Sequence, residues 1–218
     1  MIDIKICGTR TLAGAQRAVE SGATYIGFIF APARRAVRPA DAAAMLRSLP
    51  GRSHVGAVGV FVDEPPEHLL EVVRLCQLDA VQLHGHETPD YAARIRTEVP
   101  VIKVFHLTGP DDLARMALYD VDGYFVEPLV PGHSGGAGVR LDWRMLAERQ
   151  LDRQPFILSG GLNATNVGDA IATVQPQGVD VSSGVETDGQ HDLDKISAFI
   201  QAVRRTMTEG GTGGNDAG

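Results

Sequence analysis

Cys7 closes the stretch IDIKIC (2–7) and is followed at once by a glycine. A thiol at the end of a segment, with the chain free to turn just beyond it, can move a proton or attack a carbon once it ionises. A lone cysteine can also be no more than a small buried hydrophobe. Two further stretches concentrate small residues. SGGLN (159–163) and SSGVE (182–186) each leave bare backbone N–H groups in a tight turn, which suits an oxyanion. Polar residues also punctuate short apolar runs: Gln82 and His84 in AVQLHG, Glu127 at the end of GYFVE, and Asp180 in GVDVSS.

These residues need elements to hold them. In IDIKIC the isoleucines at 2, 4 and 6 alternate with Asp3, Lys5 and Cys7, the period-two pattern of a strand with two unlike faces. Seven more strands are predicted, at 24–30, 55–62, 80–85, 101–105, 123–127, 156–160 and 178–183. Helical patterns lie between and after them, at 12–21, 40–48, 66–76, 88–97, 110–118, 142–150, 163–173 and 192–206. Pro39, Pro66 and Pro89 stand where a first helical turn tolerates proline, and Asn163 and Asp192 are candidate N-caps.

Eight strands, each followed by a helix, predict an α/β fold, a single-domain (β/α)8 TIM barrel over residues 1–207. The competing architecture is an open doubly wound sheet, but such a sheet is apolar on both faces. Lys5, Gln82, His84, Lys103 and Asp180 give these strands a polar face, expected to line the barrel interior. The isoleucines of the first strand then face the helices, and Cys7 lies at the carboxyl end of the strand, where this fold places its catalytic groups. Gly160, Gly161, Ser183 and Gly184 fall after strands seven and eight, a common phosphate site in barrels, and are the phosphate-binding candidates. The tail 208–218 has no periodicity and is expected to be disordered.

Composition narrows the partners. The formal net charge is −7 with no basic stripe, which argues against nucleic acid and anionic membrane as partners. An anionic small molecule must therefore be held by local features. Two cysteines do not make a disulfide scaffold, and no signal peptide or membrane-spanning run is read, so a cytoplasmic protein is expected. Oligomeric state is not legible.

The chain closely resembles the phosphoribosylanthranilate isomerase family of tryptophan biosynthesis. The resemblance rests on KICGTR (5–10), GFIF (27–30), RRAVRPADA (34–42), VGVFV (58–62), VQLHGHE (81–87), GGAGVRLDW (135–143), SGGLNATNV (159–167) and GVDVSSGVETDG (178–189). It implies an Amadori rearrangement of an aminoaldose phosphate to an aminoketose phosphate by general acid and base, with no metal or organic cofactor. It implies that Cys7 is the base, expected as a thiolate, with Lys5 beside it. Arg35 is implied to face the anthranilate carboxylate, with Arg34 able to share or take that role. Gln82, His84 and Asp180 are implied substrate-binding residues. For His84 the alternative is a satisfied core polar group, and for Asp180 a buried partner for Lys5.

The chain departs from the family where an aspartate usually ends strand six. Glu127 stands there, followed by Pro128. It is expected to be the general acid, with a pKa raised by apolar neighbours. The loop 128–141 is expected to be a mobile lid. Alternatives to the isomerase are a paralogue acting on another phosphorylated aminosugar and a non-catalytic phosphosugar-binding module.

Overall fold

The computed structural model describes residues 2–107, 111–128, 143 and 156–209. Eight parallel strands close into a barrel in sequence order: β1 (Asp3–Cys7), β2 (Tyr25–Ile29), β3 (Gly56–Phe61), β4 (Ala80–Leu83), β5 (Val101–Leu107), β6 (Gly123–Pro128), β7 (Phe156–Leu158) and β8 (Gly178–Val181). Closure comes from β1, which pairs with both its neighbours: Lys5 lies opposite Tyr25 on one side and Asp180 on the other. A closed sheet has no free edge to manage, and the central part of each predicted strand is where the sequence put it.

Helices pack outside. They are α1 (Leu12–Ser21), α2 (Pro39–Ser48), α3 (Pro66–Cys76), α4 (Pro89–Arg96), α5 (Asp111–Met116), α6 (Val167–Val174) and α7 (Leu193–Glu209). Proline opens α2, α3 and α4 at a position whose N–H has no helical partner. Thr11 and Thr88 cap α1 and α4 by accepting from Gly14 N and Tyr91 N. Asp192 Oδ1 accepts from the N–H groups of Asp194 and Lys195, as a cap for α7 should. Asn163 does not cap α6. Its Oδ1 accepts from Thr165 N at 2.9 Å in a local turn, and the helix starts only at Val167. The helix expected at 142–150 and the lid loop expected at 128–141 lie outside the described residues, apart from Pro128 and Trp143. Helix α7 runs two residues past the expected boundary at 207, and 210–218 are again outside the described residues.

After β8 a 3-10 turn at Ser183–Val185 leads into a small hairpin, β9 (Glu186–Thr187) with β10 (Gln190–His191), that the sequence reading missed. Its signal was present. Asp188 and Gly189 both take positive φ, +50° and +74°, the mirror-image turn for which Asp-Gly is a preferred pair.

The two faces of each strand separate cleanly. Ile4, Ile6, Ile26, Phe28, Leu83 and Val179 are buried against the helices in one continuous apolar layer. Lys5, Phe125 and Asp180 fill the interior, with the Lys5 ammonium 5.0 Å from the centre of the Phe125 ring. Lys103 corrects one expectation. It lies opposite Leu83 on the helix-facing side, and its Nζ donates to Leu83 O, Gly85 O and Glu87 Oε2. On β5 the interior face is therefore the even one, and it ends in His106. A period of two separates faces but does not say which is inside when both carry a polar residue.

Candidate active site

The carboxyl ends of the strands form one concave mouth. Its lining includes Cys7 from β1, Gln82 and His84 from β4 and the turn after it, Glu127 from β6, Ser159 to Leu162 after β7, and Asp180 to Ser183 from β8 onward. Arg34 and Arg35 from the loop after β2 complete the rim.

Cys7 is almost wholly buried, and Gly27 on β2 makes its space. A Cβ on Gly27 would lie 2.9 Å from Cys7 Sγ and 3.0 Å from Lys5 Cε. Burial pushes the thiol up to about 11; the Lys5 charge pulls it down, but Asp180 works against Lys5. The resting group is therefore a thiol, and the expected thiolate is overturned. Lys5 Nζ donates to Asp180 Oδ1 at 2.8 Å, with both side chains nearly inaccessible. Burial alone would lower Lys5, yet the Asp180 charge carries it above its ordinary value, so the lysine stays charged. Asp180 is thus both the partner of Lys5 and part of the mouth lining. Gly27→Ala is expected to shift the thiol and lower kcat by about 10²-fold, since a displacement near 1 Å has that cost. Steady-state kinetics with circular dichroism on the purified variant checks it, and an unchanged kcat would show that the thiol has room to spare.

Glu127 does not sit among apolar groups. Ser159 Oγ lies 2.8 Å from its Oε1 and 3.3 Å from Asp180 Oδ2, so the single hydroxyl proton goes to the nearer oxygen of Glu127. His84 Nε2 is 3.4 Å from Oε2, longer than a normal hydrogen bond. Burial alone would raise this carboxyl, but His84 and Ser159 outweigh it and hold it near about 2. The expected raised pKa is overturned. Gln82 Nε2 lies 3.3 Å from His84 Nδ1. With Gln82 as donor, Nδ1 is the accepting nitrogen and Nε2 carries the hydrogen towards Glu127. Both predicted residues thus reach the mouth, Gln82 as the group that orients His84.

Ser159 and His106 escaped the sequence reading. Ser159 looked like part of a turn, and His106 lay beyond the predicted end of its strand. The His84 and His106 rings are 5.8 Å apart. Ligand atoms of His84, His106 and Glu127 fall within 4.8 Å of one another, a spacing that a divalent cation could share. The Ser159 hydroxyl and the facing His84 ring already meet the two oxygens of the Glu127 carboxylate.

At the phosphate candidates, Gly160 and Gly161 take φ of +90° and +67°, a region that favours glycine and turns the backbone towards the cavity. Ser182 and Ser183 line the cavity beside them. Ser182 Oγ is buried with no partner among the described residues. Gly184 stands behind: a Cβ there would meet Leu162 O at 1.9 Å, so its role is to let the two turns touch.

Residues 4–202 match the family of N-(5'-phosphoribosyl)anthranilate (PRA) isomerase. The chain belongs to this family. The PRA isomerase of Desulforudis audaxviator is 44% identical over 206 residues, 94% of this chain and 98% of that protein. That of Symbiobacterium thermophilum is also 44% identical, covering 92% of this chain and 97% of that one. Among solved structures, the phosphoribosyl anthranilate isomerase of Thermotoga maritima superposes with a TM-score of 0.86 at 39% identity, covering 94% of this chain and all of that one. Another PRA isomerase, 38% identical with a TM-score of 0.83, was solved in complex with reduced 1-(o-carboxyphenylamino)-1-deoxyribulose 5-phosphate. The PRA isomerase barrel therefore extends over nearly the whole chain. No helix among the described residues is long and apolar enough to cross a membrane.

Proposed function

We propose that this mouth isomerises N-(5-phosphoribosyl)anthranilate to 1-(2-carboxyphenylamino)-1-deoxyribulose 5-phosphate. The observation that carries the reading is the placement of a thiol on β1, and of His84 just after β4 facing Glu127 on β6, around one cavity, with two anion-binding turns and an arginine at its rim. Phosphate is held by the turns at 160–162 and 182–183, and the substrate carboxylate by Arg35. The reaction begins when the ring oxygen takes a proton and the C1–O bond breaks as the nitrogen lone pair forms an iminium. Cys7 then removes the C2 proton, leaving an enolamine, and reprotonation at C1 with loss of the hydroxyl proton gives the ketone.

An ionised Glu127 has no proton of its own to give. The donor to the ring oxygen is the Nε2–H of His84, which faces the Glu127 carboxylate. Cys7 rests as a thiol because burial disfavours its charge and Asp180 works against Lys5. The iminium adds a second cation to the mouth beside Lys5, and it draws the thiol towards thiolate as the sugar opens. The thiol must stay reduced to work, which fits a cytoplasmic enzyme.

Turnover of freshly prepared N-(5-phosphoribosyl)anthranilate, followed by loss of the aminoaldose and appearance of the aminoketose, is the test. Rescue of a tryptophan auxotroph lacking this isomerase is its counterpart in cells. Tight binding without turnover would replace this reading with a phosphosugar-binding one.

A further inference from the structure

Glu186, on the hairpin after β8, holds both rim arginines. Its Oε1 accepts from Arg35 Nε at 2.6 Å, and its Oε2 accepts from Arg35 Nη2 at 2.9 Å and from Arg34 Nη2 at 2.8 Å. The carboxylate side chain is only 6% exposed, Arg35 is 14% exposed, and Arg34 is 58% exposed. Arg34 is thus a solvated outer charge, whereas Arg35 is an inner one whose direction is fixed.

That direction matters. Glu186 takes the Nε/Nη2 edge of the Arg35 guanidinium. A guanidinium has a second, end-on edge formed by Nη1 and Nη2, equally suited to a planar carboxylate. Among the described residues no acceptor meets Nη1, and Arg35 lines the mouth. The stem of Arg35 runs over Gly8, where a Cβ would come within 2.8 Å of its Cδ, so the guanidinium stands next to the end of the strand that carries Cys7. Glu186 itself is anchored. Lys195 Nζ donates to its carbonyl at 2.8 Å, and Arg10 Nη2 ties the hairpin to the loop after β1 through Gln190 Oε1 at 2.9 Å.

We propose that Glu186 is a positioning and specificity residue: by occupying one edge of Arg35 it presents the other edge to the aromatic carboxylate of the substrate, and so selects N-aryl aminosugars that carry that carboxylate. The local charge agrees in sign: Glu186 is one carboxylate among Arg34, Arg35, Arg10 and Lys195, so the rim keeps positive charge for a substrate carboxylate. Without Glu186 the Arg35 side chain has several rotamers open to it, and the substrate must order it on binding.

The inference rests on the isomerase reading, and the experiment separates the two. Two substrates are compared, the aminosugars formed from ribose 5-phosphate with anthranilate and with aniline, the second lacking the carboxylate. Wild-type turnover of the anthranilate compound tests the reading itself. Glu186→Ala is expected to raise KM for that compound roughly tenfold to a hundredfold with kcat little changed. For the aniline compound the same variant should leave KM close to its wild-type value. In an Arg35→Ala background, removing Glu186 should add nothing further, because its effect travels through Arg35. Should Glu186→Ala fail to fold, Glu186→Gln keeps the shape and one accepting oxygen, and the same selective rise in KM is read at smaller amplitude. An equal rise for both substrates, or a full additional loss on top of Arg35→Ala, would overturn the proposal.

Discussion

Cys7→Ala is expected to lower kcat by about 10² to 10⁴ while the barrel stays folded, the usual range for removing a general base. The loss of a small side chain packed beside Gly27 and Lys5 should be tolerated, since the neighbours of Cys7 are held by their own ion pair. The pH dependence gives a second readout. Burial raises the thiol to about 11, and the free enzyme must lose that proton to supply a base. The thiolate of the free enzyme should therefore appear only as pH rises towards that value, well past the free-thiol value of about 8.5. Thiolate ultraviolet absorbance of wild type minus Cys7→Ser should show the same late ionisation, with Cys76 cancelling in the difference. A Cys7→Ala enzyme with wild-type kcat would make Cys7 a packing residue.

Glu127→Gln is expected to have the second largest effect, a sharp fall in kcat with little change in KM. The amide keeps the shape of the side chain but cannot hold the negative charge that faces His84 Nε2 at 3.4 Å. With no carboxylate opposite, the His84 Nε2–H loses the group that orients it, and ring opening loses its donor. Glu127→Asp should also lower activity, although aspartate is the residue the family usually has here. The longer side chain of this enzyme spans Ser159 on one side and His84 on the other, and removing one methylene breaks one of the two contacts. A displacement near 1 Å corresponds to about 10²-fold.

Stability gives an independent check on the same residue. The folded pKa of Glu127 is lowered from 4.5 to about 2. Its contribution is therefore complete above the unfolded value and is lost as pH falls from 4.5 through about 2. Denaturant titrations should show wild type losing stability against Glu127→Gln across that window. Near wild-type kcat in Glu127→Gln would leave ring opening to another group.

The amino-acid sequence by itself determined the number and order of the barrel strands, the seven described helices outside them, and the positions of Cys7, Glu127 and the two turns at strand ends. These are local matters. Alternation in IDIKIC follows from the two-residue repeat of a strand, and the proline starts of three helices from one missing N–H. The left-handed glycines at 160 and 161 were likewise readable as a tight turn.

Only the tertiary structure decided the charge states. Lys5 and Asp180 are 175 residues apart in the chain, yet they pair beside Cys7, whose thiol is raised first by burial and then by the Asp180 charge. Glu127 looked apolar in its surroundings because its strand neighbours are Phe125 and Val126. Its real partners, His84 and Ser159, come from just beyond β4 and β7. Strand periodicity could not tell that Lys103 faces the helices and His106 the mouth, because both faces of β5 carry a polar residue. Nor could it show Glu186 holding the two arginines, 151 residues from Arg35 in sequence. A pKa is set by burial and by nearby charge, and closing a barrel brings to one mouth groups that sequence distance keeps apart.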